Sequence, residues 1–340
     1  MDLYSTDELV GVVRDLKRPQ TFLTRTFFPA VVRSESKFVH VDVQKGKRRM
    51  APFVSPRAQG KVVETVKHQT NSIEPAYIKD KRAYDPESAI SVRTIGEALT
   101  GSISPQQREA QWIAATLVDQ QEMLDRRLEW MASEILRNGS VTITGEGFDD
   151  IVVDYLRAAN QTVALAGVSR WGESGIDPLT DLKVWSLRAQ KASGAAIDRW
   201  IMEPDAFDIF TADQRVKDLL DTRRGSTATL ESAPPGRAEA AFQGRIGNWE
   251  FFTYQDWYED PATSLDTDLL PQYSVIGGSS AIEGRQHYGA IRDKKAGYMA
   301  LPFFPKMWEE EDPSETYLMA QSAPILAPGR PDASFGATVR

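Results

Sequence analysis

The residues of this chain that could do chemistry are few and poorly spaced for it. Its three histidines, His40, His68 and His287, are scattered along 340 residues, and none stands at metal-ligand spacing from another. Cysteine is absent, which excludes disulfides and thiolate metal sites and suits a reducing compartment. Gly277-Gly278-Ser279-Ser280 could cradle an anion or present a nucleophile, but it lacks the Gly-Lys-Ser/Thr ending of a phosphate loop and the G-x-S-x-G frame. A plain turn is expected there. Glu146, Asp149, Asp150 and Asp154 form a carboxylate cluster that could serve a hydrolase, against the simpler reading of a solvated strand turn. Asp266 and Asp268, and the run Glu309-Glu310-Glu311-Asp312, lack the ligand periodicity of a calcium loop and read as solvated or partner-facing charge. Asp221-Thr222-Arg223-Arg224-Gly225 offers a different chemistry. Its two arginines either neutralise a helix C-terminus or pair with carboxylates across a subunit boundary. No cofactor and no metal is expected.

Charge tells more than the motifs. The net charge is −8, yet residues 37–82 hold eleven Lys/Arg against four Asp/Glu, or +7, and the rest of the chain 29 against 44, or −15. A basic arm on an acidic body suits complementary contact between copies, while Lys45, Lys47, Arg48 and Arg49 alone also fit a solvated hairpin tip. An acidic body argues against tight binding to DNA phosphates. With 41% hydrophobic and 26% charged residues the chain has enough apolar material for a core. No apolar run reaches the about 18 residues of a membrane span, and Met1–Ser5 does not read as a signal peptide.

The elements that must position these residues are dominated by one helix. Ser104 as N-cap, Pro105 at the first position, Gln107 closing a capping box and Gly139 as the stop predict a helix over 104–138. Ile113, Leu117, Leu124, Leu128, Met131 and Ile135 give it one apolar stripe, and Arg108, Asp119, Glu122, Asp125, Arg126 and Glu129 its wet side. A short helix is expected over 7–16. Phe22–Pro29 carries three Phe in seven residues, a docking patch either for the chain's own core or for a neighbour. Residues 38–93 read as extended, with period-two alternation over Phe38–Val43, strand-forming Val62, Val63 and Val66, and many Pro and Gly. Such an arm has little core of its own and needs an outside surface. Further expectations are a strand pair over 141–145 and 151–156, a loop over 160–176, a helix from Asp177-Pro178 to Gly194 with apolar Leu179, Leu182, Trp185 and Leu187, and a strand over 197–202. Beyond these come a helix over 205–220 broken near Thr211, a turn over 236–245, strands over 249–258, 274–276 and 317–324, and a polar tail from Pro328. Helices and strands mix without regular alternation, so the fold class is α+β.

Several stretches together resemble the major capsid protein E family of lambda-like tailed phages. They are Phe22–Phe28, Ala51–Pro56, Glu74–Lys79, Thr144–Asp149, Leu220–Ser226 and Gln321–Pro324, in the family's order and over nearly the whole chain. The resemblance implies the Hong Kong 97-type capsid fold: an N-terminal arm over 1–38, an extended loop over 39–93, a peripheral domain over 94–180 with a spine helix over 104–138, an axial domain over 181–300, and a return with a C-terminal tail over 301–340. It implies no enzyme. It implies a major head protein that self-assembles into pentamers and hexamers of an icosahedral virion capsid in the host cytoplasm. The head would enclose double-stranded DNA, with scaffold, portal, maturation protease and decoration protein as partners and no membrane. Inter-subunit contacts are expected at Phe22, Phe27, Phe28, Lys45, Lys47, Arg48, Arg49, Phe53, Arg57, Tyr77, Asp221, Arg223 and Arg224. The alternatives are a protein-loaded nanocompartment shell of the same fold, which would differ in cargo, and a carboxylate-dependent hydrolase.

Overall fold

A computed structural model of the chain describes residues 21–36, 38–44, 50, 53–57, 59, 68–84, 105–145, 147, 150–221, 240–312 and 314–340. The helix expected over 7–16, Ser104, Val62, Val63 and Val66 lie outside these. In chain order the elements are α1 (Phe22–Phe27), β1 (Ala30–Arg33), β2 (Val39–Gln44), β3 (His68–Ile73), β4 (Ile78–Tyr84), α2 (Pro105–Asn138), β5 (Ser140–Ile143), β6 (Ile151–Asp154) and β7 (Thr162–Ala164). There follow α3 (Pro178–Ser193), β8 (Arg199–Met202), α4 (Pro204–Ala212), α5 (Gln214–Asp221), β9 (Ala240–Ile246), β10 (Trp249–Tyr254), β11 (Trp257–Glu259) and β12 (Asp266–Asp268). The last are β13 (Ser274–Gly278), β14 (Arg285–Tyr288), β15 (Phe304–Glu311), β16 (Ser314–Ser322), β17 (Pro324–Ala327) and β18 (Ser334–Thr338).

The long helix α2 has 34 residues, which at the α-helical rise is about 50 Å. Gly139 ends it in the left-handed region (φ +74°) and donates its N–H to the Ile135 carbonyl at 2.8 Å. The whole apolar stripe is buried, but against two different partners. Ile113, Leu117 and Leu124 pack on Met307, Leu318 and Ala320 of the sheet β15-β16-β4 and on Phe303 just before β15. Leu128, Met131 and Ile135 pack on α1, on Val141 and Ile143 of β5, and on Ile276, Ile325 and Leu326. In this second half the helix is covered almost all round. Asp125 and Glu129, expected on the wet side, are therefore buried, because Ala132 and Leu136 widen the apolar face toward them. Of the remaining polar face, Asp119 reaches Arg82 of β4 at 2.7 Å and Glu122 pairs with Arg126 at 3.1 Å.

The largest sheet has the order β7-β18-β13-β8-β10-β9. Both its faces are buried, which the period of two makes visible. Trp200, Met202 and Val275 face one core with α3 and α4, while Ile201 and Ile276 face the other with α1 and α2. The first core is aromatic: Trp185 stacks on Phe335 at 5.1 Å and Phe210 on Phe251 at 5.2 Å.

Four local expectations need correcting. Gly277 and Gly278 are not a turn but the buried end of β13. Trp200 fills the space where a Gly277 Cβ would sit, 2.6 Å away, and Phe27 does the same at Gly278. The polar tail from Pro328 contains β18, paired with β13 and β7 inside the large sheet. Ala240–Ile246, expected as a turn, is strand β9, antiparallel to β10. Residues 160–176 are not all loop, since β7 pairs there with β18. The break between α4 and α5 falls at Asp213, whose carboxylate accepts the Arg215 N–H at 2.9 Å. Leu187 is exposed, whereas Leu179, Leu182 and Trp185 are buried as the helical pattern requires.

Candidate assembly surface

The N-terminal segment is locked to the long helix by a carboxylate. Glu129, 1% exposed, accepts the backbone N–H groups of Leu23 at 2.5 Å and Thr24 at 2.9 Å, and the Tyr254 hydroxyl at 3.2 Å. It thus satisfies N–H groups that the first turn of α1 leaves without helical partners. Burial pushes the Glu129 carboxyl above its ordinary range, and the N–H donors pull it back only in part. Phe27 and Phe28 are completely buried in the chain's own core, so for them the self-core reading of the Phe patch holds. Phe22 is partly buried, 5.0 Å from the Phe252 ring.

The other end of α2 is closed by a residue that the sequence pattern did not single out. The Arg157 guanidinium donates to the Leu136 carbonyl at 2.6 Å, to the Arg137 carbonyl and to the Ser334 hydroxyl at 3.1 Å. A cation there offsets the negative end of the helix dipole. Burial lowers its pKa to about 10, against Asp332, so it remains charged at neutral pH. Arg137, also in the last turn, pairs with Glu134 at 2.8 Å.

Tyr77 clamps the arm's return to the body. Its hydroxyl donates to Gln321 Oε1 at 2.6 Å and accepts the Arg292 N–H at 2.9 Å, while Arg292 pairs with Glu74. Asp293 beside it accepts Lys306 Nζ at 2.7 Å and Gln321 Nε2 at 3.2 Å. Burial works to raise the Asp293 pKa, but these donors and the Lys295 N–H outweigh it and hold the carboxyl below its usual value. Of the described residues beyond this clamp, Phe53 is fully exposed, Met50 is 92% exposed and Arg57 is exposed. Lys45, Lys47, Arg48, Arg49, Arg223 and Arg224 lie outside the described residues. Asp221 closes α5, with its side chain outside them too.

Of the expected carboxylate cluster, only Asp150 and Asp154 fall among the described residues. Glu146 and Asp149 lie outside the described residues, Asp150 is exposed, and Asp154 accepts the Leu156 N–H of its own turn at 2.7 Å. Among the described residues no group of His, Asp and Glu is arranged to hold a metal ion, and no helix is long and apolar enough to cross a membrane. What the surface does present is a groove of about 500 Å³ between α2, the β4–β16 pair and the β11–β12 hairpin. Ile78, Met123, Leu124, Trp130, Tyr258 and Phe303 wall it.

This architecture is that of a phage capsid subunit of the Hong Kong 97 type. A capsid protein of an Escherichia coli CFT073 prophage superimposes with a TM-score of 0.73 at 21% identity over 99% of both chains. The mature capsid protein of bacteriophage PhiM1 does so with a TM-score of 0.51 at 12% identity, over 95% of this chain and 88% of that one. The sequence carries the assignment further than fold. The family model for phage major capsid protein E matches residues 5–339, and the chain belongs to that family, with the function of a major head protein in the virion. It is 26% identical over 340 residues to the major capsid protein of Escherichia phage lambda and 27% identical to that of Escherichia phage N15, each over 98% of both chains. The resemblance seen in the sequence is thereby borne out, and neither the nanocompartment nor the hydrolase alternative gains support.

Proposed function

We propose that this subunit assembles head to tail with its own copies into pentamers and hexamers of an icosahedral head that encloses double-stranded DNA, and that it does no catalysis. The observation that carries this reading is the exposed Phe53–Arg57 stretch of the arm. A segment with +7 of charge leaves Phe53 wholly in solvent and Arg57 exposed on a body whose remaining charge is −15. An exposed Phe with no intramolecular contact calls for a surface on another molecule. Donor and receiver surfaces that differ make a heterologous contact, which closes into rings. The domain boundaries at 38, 93, 180 and 300 belong to this proposal. So do contacts through Lys45, Lys47, Arg48, Arg49, Asp221, Arg223 and Arg224, and the partners scaffold, portal, maturation protease and decoration protein. Strengthening by a decoration protein rather than by covalent bonds between subunits predicts no covalent ladder on denaturing gels of mature particles.

Negative-stain electron microscopy of the protein expressed with its scaffold tests the reading, and shells are expected. Reversal of Lys47, Arg48 and Arg49 to Glu should abolish most of them while circular dichroism shows a folded subunit. One reversal alone is expected to be nearly silent, because an exposed ion pair contributes only ~0–1 kcal/mol. Normal shell yield from the triple variant would exclude an electrostatic role for the arm.

A further inference from the structure

We propose that Asn138–Gly139 is a deamidation site gated by the last turn of α2, unreactive while that turn is closed and reactive when it opens. Of the four asparagines, Asn71, Asn138, Asn160 and Asn248, only Asn138 precedes a glycine. Glycine offers its backbone nitrogen with no Cβ in the way. In the reaction the Gly139 nitrogen gives up its proton and attacks Asn138 Cγ. The Cγ–Nδ2 bond breaks, ammonia leaves with that proton, and a five-membered succinimide closes. Water then opens the ring at either carbonyl, which leaves aspartate or isoaspartate at position 138. Nothing is oxidised or reduced, and water is the co-reactant.

The closed turn is built against this reaction although water reaches it. The Asn138 side chain is exposed, whereas Gly139 is buried. The attacking nitrogen is engaged, because the Gly139 N–H donates to the Ile135 carbonyl at 2.8 Å. The Gly139 carbonyl accepts the Tyr155 N–H at 3.1 Å, which fixes the peptide from its other side. The leaving group is engaged too, since Asn138 Nδ2 donates to Glu134 at 2.7 Å. Asn138 is the last residue of α2, and a helical ψ of about −42° turns Cγ away from the next nitrogen. Arg157 holds the arrangement shut. Its Cβ lies 2.7 Å and its Nε 2.8 Å from the place of a Gly139 Cβ, and its guanidinium donates to the Leu136 and Arg137 carbonyls. Reaction therefore waits on local opening of the helix end. It also records that opening. A carboxylate at position 138 meets Glu134 at i,i+4 where a donor stood, and it stands at the negative end of the helix dipole. A chain that has opened and reacted does not close in the same way again. The inference concerns the single chain and holds with or without shell formation.

Peptide mapping by mass spectrometry tests the gate. The full chain is incubated at mildly alkaline pH, either folded or in urea, then digested at acidic pH. The fraction of aspartate and isoaspartate at position 138 is followed with time. The folded chain is expected to react at least roughly tenfold more slowly than the unfolded one, a factor set by how rarely the turn opens. Arg157→Ala should raise the folded rate several-fold. Glu134→Ala is the second variant should circular dichroism show that Arg157→Ala does not fold, and it frees Asn138 Nδ2 while leaving Arg157 in place. Equal rates in the folded and unfolded chain, or a folded rate that neither variant raises, would overturn the gate. Asn138→Asp reads the lasting mark. Its Tm should lie roughly 1–3 °C below that of the parent, and an unchanged Tm would overturn that part of the inference.

Discussion

Replacing Gly336 by valine should leave a subunit that melts roughly 5–10 °C lower and accumulates poorly. Gly336 sits in the middle of β18, paired with Ile276 of β13 on one side and Thr162 of β7 on the other. A Cβ on Gly336 would overlap the Arg137 carbonyl oxygen and stand 2.7 Å from its carbon and 2.8 Å from its Cα. These are backbone atoms of the last helical turn, so no side-chain rotation relieves the clash. The helix end cannot move away either, because its carbonyls are held by Arg157, which also bonds Ser334 of β18. Overpacking of this kind costs about 3 kcal/mol or more, a large fraction of the roughly 5–15 kcal/mol that stabilises a typical domain. Thermal melting followed by circular dichroism checks it. A shift below about 2 °C would mean that β18 can separate from the helix at little cost, contrary to this packing.

That glycine also shows where the sequence is a poor guide. The long helix was readable because its caps and its stripe are local. Pro105, Gly139 and six apolar residues announce it without help from the rest of the chain. Helix α3 was readable for the same reason, with Asp177 accepting the Leu179 N–H at 3.1 Å and Gly194 left-handed at φ +76°. Gly277, Gly278 and Gly336 mislead because glycine usually marks freedom, whereas here it marks contact. Its cause lies across space in Trp200, Phe27 and Arg137, which sequence order does not bring together.

The arm and the groove differ in the same way. The arm was legible as a run of basic residues with exposed aromatics in one continuous stretch. The groove was not, because its walls come from residues near 78–80, 119–130, 258–261 and 320–322. Glu129 lay between these cases. Its distance from the main stripe puts it on the wet side, yet Ala132 and Leu136 follow it at helical spacing and are both buried. Their presence was a usable sign that the covered face broadens toward the helix C-terminus.

Glu129→Leu should cost roughly 2–4 kcal/mol, since it leaves the Leu23 and Thr24 N–H groups and the Tyr254 hydroxyl without their acceptor in a closed core. Limited proteolysis should then cut within the first thirty or so residues faster than in the parent, because α1 loses its tie to α2. Glu129→Gln keeps one acceptor oxygen and should cost less, about 1–2 kcal/mol. The glutamine variant also isolates the titration. Burial raises the native pKa of Glu129, so over the range above the ordinary carboxylate value the folded subunit holds a proton that the unfolded chain has released. Stability from this group is complete below the unfolded pKa and is lost as pH rises through the native one. The parent's advantage in Tm over Glu129→Gln should therefore shrink from about pH 4 upward, while other titrating groups cancel in the difference. Parallel melting curves across that range would show that the carboxylate is ionised at no net cost in both states. The hold of the N-terminal segment on the spine would then be independent of pH.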